Sequence, residues 1–182
     1  MTAKRLQRPG RQALGELPRF DLPADQIIPL KPIGVVRSPF VWREQAPRQA
    51  TVGAPQQATI VLRPGLQNTL KDLEGFDRAW VLFWFHHSRG WKQQIIPPRD
   101  RVKRGIFATR APDRPNALGL SAVMIVAIYG TRLTISGHDL LDGTPVLDLK
   151  PYIPAYDAFP SARAGWVDAL TDPGPDHRVR RD

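Results

Sequence analysis

Short apolar runs, separated by charged segments rich in Gly and Pro, fill the middle of this chain. The runs contain many β-branched and aromatic residues, and each stops at turn-forming residues, a pattern typical of strands. They lie at residues 33–37, 58–62, 78–85, 106–109, 120–129, 133–137 and 145–149. The run at 78–85 carries Trp80, Phe83 and Trp84, which predicts a central strand buried on both faces.

Only one segment has a helical period. Apolar residues at Leu66, Leu70 and Leu73 predict two turns of helix. Six or so short strands with one clear helix predict a mainly β fold, a small sheet or barrel. Alternating strand–helix units are absent from the pattern, which disfavours a doubly wound fold.

The polar ends of the chain predict its domain organisation. Residues 1–29 are basic and lack sustained periodicity, so they are predicted to form a flexible N-terminal arm. Residues 30–171 are predicted to form one folded domain, and residues 172–182 a basic tail. A length of 182 residues favours a single hydrophobic core.

Charge and composition restrict the function. The net charge is +9 with a pI near 10.6, and basic residues crowd the stretch between Arg89 and Arg114, which favours a polyanionic partner such as nucleic acid. The chain has no cysteine, which excludes disulfides, thiolate metal sites and thiol nucleophiles. It shows neither a membrane-spanning run nor a signal sequence, which predicts a soluble cytoplasmic protein without a membrane partner.

Several common motifs are absent. The sequence has no G-x-G-x-x-G behind a strand, no Walker loop, no G-x-S-x-G elbow and no H-E-x-x-H, which disfavours dinucleotide binding, NTP hydrolysis and α/β-hydrolase chemistry. His86 and His87 end an apolar run. Neighbouring strand residues point to opposite faces, so no metal site is predicted, although one of the two histidines could line a pocket.

Two dense charged loops are the best candidates for chemistry. In the first, Arg110 and Arg114 could grip a carboxylate or phosphate, and Asn116 can both donate and accept hydrogen bonds. The alternative is a turn held by arginine side chains on backbone carbonyls. In the second, Asp139 and Asp142 could bind ribose hydroxyls or an amino group, although Asp142-Gly143 is also a strong turn signal.

Two further features are open to interpretation. Asp148 and Lys150 alternate along one strand face, so they are either a structural ion pair or a group that tunes proton transfer. Trp42 and Trp91 are flanked by basic residues and are predicted to stack on a base.

An ordered set of segments resembles one known family. The segments are residues 33–40, 47–49, 73–76, 80–86, 110–116, 119–121 and 139–154. Across about residues 33–157 the chain resembles the TsaA-like (TrmO) family. The resemblance implies a small TsaA-like β-barrel with one or two short helices, S-adenosyl-L-methionine as cofactor, and a homodimer with the cofactor pocket near the subunit interface. The implied reaction methylates N6 of threonylcarbamoyladenosine at position 37 of tRNA, in the anticodon stem-loop.

The resemblance also implies which residues do this. The implied cofactor contacts are Pro47, Arg48, Gln49, His86, His87, Arg110, Leu120, Asp139, Leu140, Leu141 and Asp142. The implied substrate contacts are Arg114, Asn116, Lys150 and Tyr152. N6 of a ureido-modified adenosine is a poor nucleophile, so a base could assist the loss of its proton. His86 and Asp148 are the candidates for that base.

The first loop departs from the family pattern. Ala111 stands where serine is usual, Asp113 where phenylalanine is common, and Ala117 where a proline follows the asparagine. These changes leave two alternatives open. The chain could use the same fold and cofactor on another methyl acceptor, or it could be a non-catalytic RNA-binding protein on this scaffold.

Overall fold

In the described part of the chain, eight strands account for most of the regular structure. In chain order they are β1 Gly34–Arg37, β2 Gln57–Leu62, β3 Arg78–Trp84, β4 Gln94–Ile95, β5 Arg104–Gly105, β6 Leu118–Tyr129, β7 Arg132–Ser136 and β8 Pro145–Pro151.

The computed structural model describes residues 27–50, 54–98 and 100–170. The chain divides into two units, residues 1–30 and 31–182, and the fold described here is that of the second. The predicted arm, except residues 27–29, and the predicted tail lie outside the described residues.

Six of the strands form a closed antiparallel barrel. Their order around it is β1-β2-β7-β6-β3-β8, and β8 pairs with β1 to complete it, while β4 and β5 form a separate two-stranded ribbon. The predicted small, mainly β barrel is therefore confirmed. The described residues contain no helix with the length and apolar character needed to cross a membrane.

Alternation along the strands builds one core inside the barrel. The inward side chains are almost completely buried, as at Ile60, Val81 and Ile135. The prediction that β3 is buried on both faces is wrong. Trp80 and Leu82 on its outer face are only partly buried, and Trp84 is 50% exposed, because a barrel of this kind has a single interior.

Helices are short, as predicted. A four-residue helix, α1, covers Pro154–Asp157. The predicted two-turn helix near residue 70 is wrong, since two 3-10 turns, Gln67–Leu70 and Leu73–Gly75, are separated by Asp72 in a left-handed conformation with φ of 67°. The predicted strand at 106–109 is also wrong. Ile106–Ala108 is a 3-10 turn that buries Ile106.

The loop between β7 and β8 packs against the wall of the barrel. β7 pairs with β6 only from Met124 onward, so the first half of β6 has no partner strand on that side. The loop lies beside this half, where the Ser121 hydroxyl donates to Asp139. It is also bonded to the other side of the barrel, because the Gly143 N–H donates to the Val36 carbonyl at 2.9 Å. The loop is therefore held between two strands.

Candidate functional site

Arg110 joins the first charged loop to the Pro47-Arg48-Gln49 segment. Its Nη1 donates to Gln49 Oε1 at 2.7 Å, and Gln49 Nε2 donates to the Arg48 carbonyl at 2.6 Å. Arg110 is exposed, whereas Pro47, Arg48 and Gln49 are partly buried. Two segments that the sequence leaves 61 residues apart thus meet through one charged side chain.

Asp139 lies near Arg110, whose positive charge acts on the Asp139 carboxylate. The Ser121 hydroxyl donates to Asp139 Oδ1 at 2.6 Å. Burial raises the pKa of Asp139, while the Ser121 hydrogen bond and the nearby Arg110 charge act in the opposite direction. A partly desolvated carboxylate with one fixed donor retains acceptor sites for a hydroxyl or ammonium group. Ser121, a polar residue on the inward face of β6, carries no separate signal in the sequence.

Replacing Asp139 with asparagine is expected to stabilise the folded chain at neutral pH. Because burial raises the folded-state pKa, the ionised carboxylate costs folding free energy at any pH above that value. This cost disappears as the pH falls below the ordinary value of 3.8, where both states are protonated. The measurement is the Tm of both chains across pH 3 to 8, with Asp77→Asn on the exposed surface as control. A lower Tm for Asp139→Asn at neutral pH would contradict this view of Asp139.

Leu140, Leu141 and Asp142 form the body of the second loop. Leu140 is 1% exposed and belongs to the core. The Asp142 carboxylate accepts from the Ser38 N–H at 3.0 Å and pairs with Arg37 at 3.6 Å. Gly143 has φ of 76°, and the Thr144 N–H donates to the Leu141 carbonyl, so the predicted Asp-Gly turn is present. Asp142 therefore fastens the loop to the end of β1.

His86 and His87 lie together beyond the end of β3. Their ring centroids are 4.0 Å apart, so the expectation that they point to opposite faces is wrong, because β3 stops at Trp84. A Cβ on Gly143 would lie 4.0 Å from His86 Nε2, which places that ring at the border of the second loop. Partial burial, and then the charge of His87, lower the pKa of His86. Its neutral imidazole is favoured and can accept a proton.

The described residues contain no cluster of metal-binding side chains. Within residues 27–50, 54–98 and 100–170, no group of three or more His, Cys, Asp or Glu residues could hold a metal ion.

Asp148 and Lys150 bind each other. Lys150 Nζ lies 2.9 Å from Asp148 Oδ2, and Asp148 Oδ1 accepts from the Leu149 N–H at 2.9 Å. Both side chains are substantially exposed. Lys150 pairs with Trp80 across β3 and β8, and the Tyr152 ring lies 5.4 Å from the Trp80 ring. Of the four implied substrate contacts, Lys150 and Tyr152 thus lie beside Trp80. The other two, Arg114 and Asn116, belong to the first charged loop.

Arg114 agrees with the structural alternative, in which an arginine side chain holds the turn by binding backbone carbonyls. Its Nη1 donates to the Thr109 carbonyl at 2.9 Å and to the Ala111 carbonyl at 3.3 Å, so it holds the first loop in shape. Asn116 is exposed. Its predicted contact with substrate stays a prediction, as does that of Arg114.

Asp113, a departure from the family pattern, has two partners in the structure. Its Oδ1 accepts from the Ser88 hydroxyl at 3.2 Å, and its Oδ2 lies 3.9 Å from Arg43 Nη1. These contacts connect the first loop with the turn after His87 and with the segment that carries Trp42. Ser88 and Arg43 gave no separate signal in the sequence.

The β4–β5 ribbon displays the basic stretch. Asp100 orders the connection, because its carboxylate accepts from the Arg101 and Val102 N–H groups and from Arg104 Nε at 2.6 Å. The Arg104 guanidinium lies 5.3 Å from the Trp166 ring centre. The tryptophans predicted to stack on a base, Trp42 and Trp91, are 68% and 50% exposed, so both rings are accessible in the described chain.

Comparison with known proteins identifies the family of the chain. The family model described as the tRNA-methyltransferase O N-terminal domain matches residues 35–158. The chain is 42% identical to a putative S-adenosylmethionine-dependent methyltransferase, RcsF, of Pseudomonas aeruginosa, over 77% of this chain and 63% of that protein. It is 38% identical to a probable S-adenosyl-L-methionine-binding protein of Pyrococcus abyssi, over 76% of this chain and 75% of that protein.

A mouse protein and a crystal structure extend the comparison. The tRNA (adenine(37)-N6)-methyltransferase of Mus musculus is 39% identical over 70% of this chain, which spans 31% of the mouse protein. The crystal structure of TrmO from Pseudomonas aeruginosa has a TM-score of 0.69 and 38% identity, and the match covers 81% of this chain and 66% of that one. The family match, the shared barrel and these identities confirm the resemblance: the chain belongs to the TrmO family.

Proposed function

We propose that this chain uses S-adenosyl-L-methionine to methylate N6 of threonylcarbamoyladenosine at position 37 of tRNA. The observation that carries the proposal is the contact of Arg110 with Gln49 near the partly buried Asp139, which gathers three separate segments into one charged cluster. The relatives' names support the cofactor and the adenine at position 37 as acceptor.

The chemistry of the wall suits this cofactor. S-adenosyl-L-methionine carries a carboxylate, an ammonium group, ribose hydroxyls, an adenine and a sulfonium that activates its methyl group. Arg110 is exposed and charged, and would bind the carboxylate through charge-assisted hydrogen bonds. Asp139 would accept from the ammonium or a ribose hydroxyl. Leu120, 56% exposed, would supply apolar contact to the adenine.

The chain's own task would be alignment and proton removal. Holding N6 in line with the methyl carbon turns an encounter into an intramolecular step. His86 is the better of the two candidates for the base, because its neutral form is favoured and it borders the second loop. The Asp148 carboxylate is already engaged by Lys150 at 2.9 Å.

A second copy of the chain would complete the pocket. The outer face of β3 and β6 is apolar, since Trp84 pairs with Leu118 and Leu82 pairs with Leu120. Trp84, Leu118 and Leu120 are 50%, 38% and 56% exposed, although each is large and apolar. Leu120 is also a proposed cofactor contact, so an isologous contact on this face would place the partner beside the cofactor.

Leu118→Glu is expected to convert the proposed dimer to a monomer, because it puts a charge on that apolar face. Sedimentation velocity of both chains measures this, and Val126→Glu, at an exposed position in the second half of β6, is the control. A monomeric unchanged chain would refute the dimer. A Leu118→Glu variant that remains dimeric would refute this choice of surface.

The basic ribbon would bind the tRNA backbone. Arg101, Lys103 and Arg104 are carried by or next to β5, and phosphate contacts of this kind make affinity fall steeply with salt. The tRNA anticodon stem-loop is the proposed partner because it contains position 37.

Calorimetric titration with S-adenosyl-L-methionine, followed by methyl transfer to tRNA with and without threonylcarbamoyladenosine, tests the proposal. Binding with modification-dependent transfer would support it. Binding without transfer would indicate another acceptor, and absence of binding would leave RNA binding as the activity. The same assay on His86→Gln and Asp148→Asn identifies the base as the variant that binds cofactor but loses transfer.

A further inference from the structure

We propose that Phe107 and Arg114 form a stacking site for an unpaired base of the RNA substrate. This inference rests on the proposed function and adds a binding site to it. Phe107 lies in the 3-10 turn Ile106–Ala108, directly after the buried Ile106, and its side chain is 79% exposed. A phenyl ring left in water contributes little to folding, and both its faces and its edge are accessible to a ligand unless another side chain covers them.

A fixed arginine accompanies the ring. The Arg114 guanidinium carbon lies 5.9 Å from the Phe107 ring centre, and its Nη1 is already bonded to the Thr109 and Ala111 carbonyls. The guanidinium is therefore placed before any ligand arrives, which reduces the entropy lost on binding. Tyr129, Tyr156 and Phe159 are exposed to a similar degree, but no arginine lies over their rings in the described part of the chain.

The turn that carries Phe107 is also held in place by Trp166. Trp166 Nε1 donates to the Ala108 carbonyl at 2.8 Å, and Arg104 lies over the Trp166 ring. A second arginine, Arg110, follows Phe107 by three residues and contacts Gln49 in the proposed cofactor pocket. A base stacked on Phe107 would thus have arginine side chains available for its phosphates.

These features favour an unpaired nucleobase as the ligand. Single-stranded RNA is recognised through bases that stack on aromatic rings and guanidinium planes, whereas paired bases hide their faces. An anticodon loop offers such bases on either side of the proposed acceptor. A protein surface is the competing occupant, but the surrounding arginines favour a polyanion.

The test compares Phe107→Ala, Phe107→Leu and Phe107→Trp with the unchanged chain. Fluorescence anisotropy gives the Kd for a labelled tRNA anticodon stem-loop, calorimetry gives the affinity for S-adenosyl-L-methionine, and sedimentation gives the oligomeric state. Phe107→Ala and Phe107→Leu are expected to bind the RNA about 5- to 150-fold more weakly, and Phe107→Trp about as tightly as the unchanged chain. Phe159→Leu, an exposed ring without an arginine, is the matched control and should not change the Kd.

Three outcomes would overturn the inference. Full RNA affinity in Phe107→Leu would mean that an apolar side chain suffices without a ring. A changed oligomeric state in Phe107→Ala would assign the ring to an interface between copies. Absence of RNA binding by the unchanged chain would overturn both this inference and the proposed function. RNA binding without methyl transfer, by contrast, would overturn the proposed function while the Phe107 series still decides the stacking site.

Discussion

Arg110→Ala is expected to weaken S-adenosyl-L-methionine binding by about 1.5 to 3 kcal/mol, which is roughly 10- to 150-fold in Kd. The exposed guanidinium is the proposed partner of the cofactor's carboxylate, and a hydrogen bond to a charged group is worth more than a neutral one. Its hydrogen bond to Gln49 Oε1 at 2.7 Å holds it beside the segment that carries Pro47 and Arg48. Calorimetric titration of the purified chain measures the effect.

Two controls separate a lost contact from a damaged fold. Arg132→Ala removes an exposed arginine from β7 and is expected to bind the cofactor like the unchanged chain. The Tm of Arg110→Ala without cofactor is expected to stay near that of the unchanged chain, because the side chain is exposed. Unchanged cofactor affinity in Arg110→Ala would refute the pocket assignment.

Gly119→Ala is expected to destabilise the barrel by about 1 to 3 kcal/mol, the usual cost of inserting a methyl group into a packed core. Gly119 lies opposite Phe83 in the β3–β6 pairing, and a Cβ built on it would overlap the Phe83 ring. Phe83 is 3% exposed and packs edge-on against Phe85 at 5.0 Å, which restricts its escape. Urea unfolding of both chains measures the difference.

Gly75→Ala is the matched control, because a Cβ there would meet nothing within 4 Å. Adding Phe83→Leu to Gly119→Ala is expected to cost less than the two single changes combined, since the smaller side chain leaves room for the new methyl group. Unfolding of Gly119→Ala at the same urea concentration as the unchanged chain would show that the Phe83 ring can rotate away at no cost.

The apolar runs predicted all six barrel strands because alternation and β-branched content are local properties. The same reasoning failed at residues 66–73 and 106–109, where buried leucine and isoleucine side chains belong to 3-10 turns. Apolar spacing reports which side chains are buried. It does not report the backbone conformation when a segment is only one turn long.

Candidate residues were named from loop chemistry and from the family resemblance, but their roles divide in the structure. Arg110 binds Gln49 and lies near Asp139, while Arg114 and Asp142 use their charged groups to hold loop backbone in place. Ser121 and Phe107 were missed, because a lone serine in a strand and a lone phenylalanine in a loop carry no distinctive pattern. Only exposure and hydrogen bonding distinguish them.

The sequence by itself determined the mainly β class, the basic character and the family of this chain, since each depends on residue types and their order. Barrel closure, the contact of Arg110 with Gln49 and the hydrogen bond from Ser121 to Asp139 were decided by the tertiary structure. Such contacts depend on strand register and on the path of the loops. These bring together groups that are distant along the chain, and no local pattern records the distance between them.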